Sequence, residues 1–153
     1  MFETRVATAV DAEVIADHRR SMFAEMGHGS EEGLQRMVDS FVPWVRERLI
    51  DGRYVGWLVV GDAEQVVAGA GVWLMDYPPH WRDPQALRAY LTNFYVAPQV
   101  RNRGLAFALL RTAVEEARRH SIKVVSLHAS NAGRPIYERS GFEATNEMML
   151  YLS

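Results

Sequence analysis

The run Gln99 to Leu110 reads QVRNRGLAFALL and sets two arginines and one glycine between an apolar strand-like segment and an apolar helix-like one. It lacks the G-x-G-x-x-G of a dinucleotide-binding turn and the G-K-[ST] of a phosphate loop. A helix start still offers unpaired N–H groups and a partial positive charge, so anions bind there. Arg101 and Arg103 add planar, permanently charged donors suited to phosphate. Gly104 and Ala106 are small enough for a ligand to approach the backbone. The same residues would also serve a plain turn with two solvated arginines, and spacing alone leaves both readings open.

Working outward, Ala106, Leu109, Leu110, Ala113, Val114 and Ala117 recur at helical spacing, with Arg111, Glu115, Arg118 and Arg119 on the other side; this predicts a helix over Gly104 to His120. Upstream, a strand from Leu87 or Ala89 to Val96 is stopped by Pro98, which cannot donate to a ladder. Arg53 to Val60 and Gln65 to Met75 read as a hairpin around Gly61 to Glu64, and DYPPHWRDP, Asp76 to Pro84, reads as a loop. Phe2 to Thr8 reads as a first strand, and Asp11 caps a helix to about Met26. A second helix from Ser30 meets Pro43, which predicts a kink or two short helices. Downstream come a strand over Val124 to His128, a short helix over Pro135 to Ser140 ended by Gly141, and a last strand or strand pair over Phe142 to Leu152. The order predicts a mixed sheet of the α/β (α+β) kind, in one domain over residues 1–153, with no repeat or linker.

Composition narrows the classes. Apolar residues make 48% and charged residues 24%, an ordinary globular balance. A net charge of -2 gives no global pull toward nucleic acid or an anionic membrane. With no cysteine, disulfides, thiolate nucleophiles and Cys-ligated metals are excluded, and no H-E-x-x-H or similar spacing suggests a metal. No stretch approaches the ~20 apolar residues of a membrane span, so the expectation is a cytoplasmic protein.

VAPQVRNRGLAFALL resembles the signature of the GNAT superfamily of N-acetyltransferases, Arg/Gln-x-x-Gly-x-Gly/Ala after a strand ending in V-x-P: here Arg101-Asn102-Arg103-Gly104-Leu105-Ala106, with Val96 and Pro98 upstream. LHASNAGRPIYERSGF, Leu127 to Phe142, resembles a second family element, Asn...Tyr-x-x-x-Gly-Phe, in the right order and separation. The resemblance is close over Tyr90 to Phe142 and extends to the N-terminal half only as element order. It implies a mostly antiparallel sheet of six to seven strands with a central, splayed parallel pair, flanked by about four helices. It implies acetyl-CoA as co-substrate and no metal. The pyrophosphate would sit on the loop Arg101, Asn102, Arg103, Gly104, Leu105 and Ala106, with the pantetheine arm along Phe94, Tyr95 and Val96 and with Asn131 and Tyr137 also at the cofactor. Family members are often homodimers, but no interface is legible.

The implied reaction is direct attack of a primary amine, on a small molecule or a peptide, upon the thioester. Tyr137 matches the family tyrosine near the sulfur, and a phenol of pKa about 10 can protonate a leaving thiolate. A backbone N–H near Phe94 or Tyr95 would hold the oxyanion. The base is open. Many relatives carry a glutamate on this strand, whereas AYLTNFYVAP has no acid. Tyr90 lies near the place of that carboxylate, and Asn93 could position a water; His28, Asp76, His80 and Glu147 are further candidates. An alkyl amine is only about 0.04% neutral at pH 7, so an acceptor for its proton is expected. An enzyme acting on protein N-termini or lysines, or a sensor that binds acyl-CoA without efficient turnover, fits the same motifs.

Arg19 falls on the apolar stripe of the first helix, where a charge needs a partner, a route to water or an acidic ligand. With His28, between two glycines, and Glu147, it forms the candidate acceptor-binding set. His128 at a strand end reads as a buried, hydrogen-bonded histidine, and Trp57 and Trp73 as core; Tyr77 and Trp81 could line an acceptor pocket.

Overall fold

The computed structural model describes residues 1–153. Five strands, β1 (Glu3–Val6), β2 (Tyr54–Val60), β3 (Val66–Asp76), β4 (Leu87–Val96) and β5 (Val125–Leu127), lie side by side in chain order. The first three pairings are antiparallel and β4–β5 is parallel. The helices are α1 (Ala12–Glu25), α2 (Glu31–Asp51), α3 (Leu105–Arg119) and α4 (Arg134–Arg139). This is the mixed α+β class expected, with four helices.

Alternation along the strands sorts the core into two layers. On β2, Trp57 and Val59 face the α3 side, where they join Val72, Leu91, Leu109, Leu110 and Ala113. Tyr54 and Leu58 face the opposite side, with Ala12 and Ile15 of α1 and Val45 of α2. Ala63 and Glu64, both at φ 56°, supply the left-handed residues of the β2–β3 turn. Asp11 does not cap α1 through its side chain; its carboxylate instead takes two 2.9 Å bonds from Arg5 and one of 2.8 Å from the Thr8 N–H.

Two expectations are corrected. Pro43 does not divide the second helix, which runs unbroken over Glu31–Asp51. A mid-helix proline costs about 3 kcal/mol. Each buried large apolar side chain returns about 1.5–3 kcal/mol, and Leu34 and Val45 are buried while Phe41, Val42, Trp44 and Leu49 pack on the core around the proline. The last strand over Phe142 to Leu152 does not form, so the sheet has five strands and the parallel pair lies at its edge, not its centre. Glu147 to Leu152 has strand-forming residues but no alternation to bind one face to a core, and Met148, Leu150, Tyr151 and Leu152 are exposed.

His18 on α1 is 7% exposed, its ring tilted against that of Tyr95 at 5.0 Å, and burial lowers its pKa to about 4. A β-carbon on Gly69 would come within 2.9 Å of its Nδ1, so β3 is bare beneath it. Because the folded value lies below the unfolded one, near 6.5, the unfolded chain binds the extra proton first. Stability should therefore be full above pH 6.5 and fall toward pH 4, by an amount on the order of 3 kcal/mol at most. Urea midpoints across that window check this; in His18→Leu the slope should flatten.

Candidate active site

β4 and β5 pair only at Ala89–Val125, Tyr90–Ser126 and Leu91–Leu127. Beyond that point they part. On its other side β4 pairs Thr92 with Gly71 and Tyr95 with Gly69, so Asn93 and Phe94 together face the single Ala70. This is a β-bulge, which bends a strand and re-aims its side chains. Asn93 takes the left-handed conformation at φ 58°, which asparagine tolerates better than most residues. The parting strands leave a cleft of about 110 Å³, walled by Phe94, Tyr95 and Val96 on one side and by Ile136 and Tyr137 on the other. Tyr137 packs edge-on to Phe94 and Phe142, and burial raises its pKa above the usual 10. Its hydroxyl makes no hydrogen bond within the chain.

A chain of bonds fixes the bulge. The Asn93 amide N–H donates to the Tyr54 hydroxyl at 2.9 Å, and the Asn93 carbonyl accepts from Arg19 Nη1 at 3.0 Å. Arg19 Nη1 also donates to Thr92 Oγ1 at 3.2 Å. Asn93 is 1% exposed with both ends of its amide engaged, so the expectation that it orients a catalytic water is corrected: it braces the bulge. Tyr54 reaches it across Gly71, and burial pushes the Tyr54 pKa up to about 12. Sequence reasoning missed Tyr54; the signal was the glycine pair Gly69 and Gly71 in a strand, which marks a bulge or a close approach.

On the far side of the bulge the Tyr90 hydroxyl bonds His128 Nδ1, and His128 Nε2 lies 2.8 Å from Glu147 Oε2. His128 is thus not the buried histidine expected; its side chain is 53% exposed and bridges two candidate residues. Burial raises the Tyr90 pKa, Arg19 lowers it and Glu147 raises it further. Trp73, expected in the core, is only half-buried and meets Tyr90 edge-on, whereas Trp57 is core as expected. His28 sits exposed in the α1–α2 loop, 6.5 Å from Phe23. Asp76, His80, Tyr77 and Trp81 share the region of the loop after β3, with Trp81 82% exposed.

At the opposite end of the cleft, α3 begins at Gly104, φ 79°, with no side chain capping its first turn. Asn102 is also left-handed, at φ 65°. A β-carbon on Gly104 would meet nothing within 4 Å, so glycine is needed here for backbone conformation, and the space beside it is open. The two arginines differ. Arg101 donates from Nε to the Val96 carbonyl at 2.8 Å and from Nη2 to both oxygens of Glu25 at 2.9 Å. Its guanidinium is paired within the chain, and the pair is open to solvent. Arg103 has no carboxylate partner and rests 5.9 Å from the Phe2 ring. Asn131 is exposed just before α4. An uncapped helix start, one free arginine and an apolar cleft suit a long ligand with an anionic head and a thin apolar arm. No three His, Asp or Glu side chains converge as a metal site, and no helix is long and apolar enough to cross a membrane.

Comparison with known proteins agrees with this geometry. Residues 13–142 match the model of the acetyltransferase (GNAT) family. The structure of a GCN5-related N-acetyltransferase from Ralstonia eutropha is 36% identical, superposes with a TM-score of 0.93, and the match covers 99% of each chain. A predicted acetyltransferase from Clostridium acetobutylicum, solved with acetyl-CoA, is 26% identical with a TM-score of 0.89, over 99% of this chain and 96% of that one. An aminoglycoside N-acetyltransferase solved with CoA shares the fold at 15% identity and a TM-score of 0.73, over 100% of this chain and 95% of the other. No curated protein sequence matches.

Proposed function

The chain belongs to the GNAT family of acetyltransferases, and from that premise we propose that it moves the acetyl group of acetyl-CoA to a primary amine by direct attack. The observation that carries this reading is the cleft between the parting strands, which joins an uncapped helix start to a braced bulge. Bound acetyl-CoA would supply an activated acetyl thioester. The backbone amides of Arg101 to Ala106, with Arg103, would hold its pyrophosphate, and Asn131 stands at the same rim. The backbone edge of β4 at Phe94 and Tyr95, which β5 no longer pairs, would take the pantetheine arm, with Val96, whose carbonyl Arg101 already holds, beside it. A backbone N–H at Phe94 or Tyr95 would hold the developing oxyanion.

The missing strand carboxylate is replaced by a relay. With Nε2–H bonded to Glu147, His128 presents a bare Nδ1 to the Tyr90 hydroxyl. Tyr90 can then take a proton from the amine on its oxygen while passing its own proton to Nδ1, and Glu147 holds the resulting imidazolium. Tyr137 donates its proton to the departing sulfur. Its raised pKa keeps it protonated at neutral pH. A thiol of pKa about 8.5 is already a good leaving group, so Tyr137→Phe should lower kcat by only about tenfold. An unchanged kcat from pH 6 to 9 would remove Tyr137 from the chemistry.

The same reading includes a homodimer. Its support is an unpaired outer edge on β5 together with the exposed apolar run Met148 to Leu152 in one chain. The function is tested by CoA release from acetyl-CoA with a panel of primary amines. Turnover with any of them supports the transferase; tight acetyl-CoA binding with no turnover on any amine or peptide points to a sensor.

A further inference from the structure

Arg19 of α1 reaches the bulge at Thr92 and Asn93, and the reaction above leaves its charge unused. Its guanidinium is stacked between two aromatic faces, 5.0 Å from Phe23 and 5.1 Å from Phe41. Nη1 spends its hydrogens on Thr92 and Asn93, and Nε is buried without a partner. Nη2 makes no hydrogen bond and is not sealed from solvent. No carboxylate of the chain acts on this charge; the titratable groups around it are the phenols of Tyr54 and Tyr90, both neutral at pH 7. Bracing Asn93 and Thr92 needs only neutral donors, so bracing alone does not account for a cation half-buried without a counter-ion.

The surroundings limit what could supply that counter-ion. From Arg19 an aromatic wall continues through Phe41, Trp44, Trp73 and Tyr90, with neighbouring rings 5.2 to 6.3 Å apart. These side chains are half-buried, which leaves apolar surface open beside the guanidinium. A single positive charge flanked by aromatic rings and phenols suits a monoanion attached to an apolar body, whereas a phosphate dianion would find half its charge unmatched. Tyr90 ends this wall and begins the proton relay.

We propose that Arg19 is the anion receptor of the acceptor site, and that the acceptor is an amine carrying a carboxylate on an apolar body. The carboxylate takes the free Nη2 hydrogens, the body lies on the Trp73–Tyr90 wall, and the amine is delivered to the Tyr90 hydroxyl. This rests on the acetyltransferase reading and deepens it.

The test titrates the CoA-saturated protein with 3-phenylpropionate and with its neutral amide, 3-phenylpropanamide, by calorimetry. The carboxylate should bind about tenfold tighter than the amide. Arg19→Met should bring the two within about twofold, and Arg19→Lys should keep part of the preference. Equal affinities in the wild type, binding of neither compound, or an undiminished preference in Arg19→Met overturns the assignment. CoA is titrated first in the same cell. CoA binding without a carboxylate preference removes only the Arg19 proposal, whereas absence of CoA binding removes the functional reading beneath it.

Discussion

Replacing His128 by alanine should lower kcat for a primary alkylamine by about 10²- to 10⁴-fold at neutral pH, the usual worth of a positioned proton acceptor. The acceptor amine is almost wholly protonated there, so losing its proton is the harder of the two transfers. The pH profile separates this role from a structural one. In the wild type, the relay takes the amine's proton, so activity does not wait on the amine's own deprotonation. In the variant, the acid limb should move up toward the amine's own pKa, near 10. The groups facing the imidazole are Tyr90 and Glu147, with Arg19 beyond the phenol. Glu147→Gln should therefore give a smaller loss, since Nε2–H keeps an oxygen acceptor but the imidazolium loses its counter-charge. A profile of unchanged shape in His128→Ala would falsify the relay.

Gly71→Ala should cost at least about 3 kcal/mol, the upper end for overpacking a well-filled core, and should abolish turnover in whatever protein remains folded. The added β-carbon would lie 2.8 Å from Tyr54 Cε1 and closer still to its hydroxyl. Tyr54 is 2% exposed and has nowhere to retreat. Moving it withdraws the acceptor from the Asn93 amide and loosens the bulge at the proposed reaction centre. Urea denaturation measures the first effect and CoA release the second. Tyr54→Phe separates them, because it keeps the packing and removes only the bond to Asn93. A Gly71→Ala protein of wild-type stability would show that β3 and the ring can part at little cost.

The parts of this molecule legible in the sequence are those where local pattern and tertiary environment agree. Leu109, Leu110, Ala113 and Ala117 repeat at helical spacing and are buried, so α3 and the loop before it could be read directly. The short β5 is readable because a strand follows such a helix. The relay is not readable. Tyr90, His128 and Glu147 are far apart in sequence, and no spacing rule links residues joined only by the pairing of β4 with β5 and the path of the chain after α4. Arg101 and Arg103 look alike in sequence; only the fold shows that Glu25 has claimed one of them. Pro43 and the run after Phe142 mislead for opposite reasons. Packing overrides the helix breaker, while strand propensity without a paired edge makes no strand.

The bond between Arg101 and Glu25 also makes α1 a common strut. Glu25 at one end of that helix holds the loop before α3, and Arg19, earlier on the same helix, faces the bulge. The loop before α3 and the bulge thus share one rigid support, and thermodynamic linkage applies to the two ligands proposed to bind there. Whatever factor CoA imposes on acceptor affinity, the acceptor must impose on CoA. Glu25→Gln, which touches neither ligand, would change that factor while leaving each site's own contacts in place.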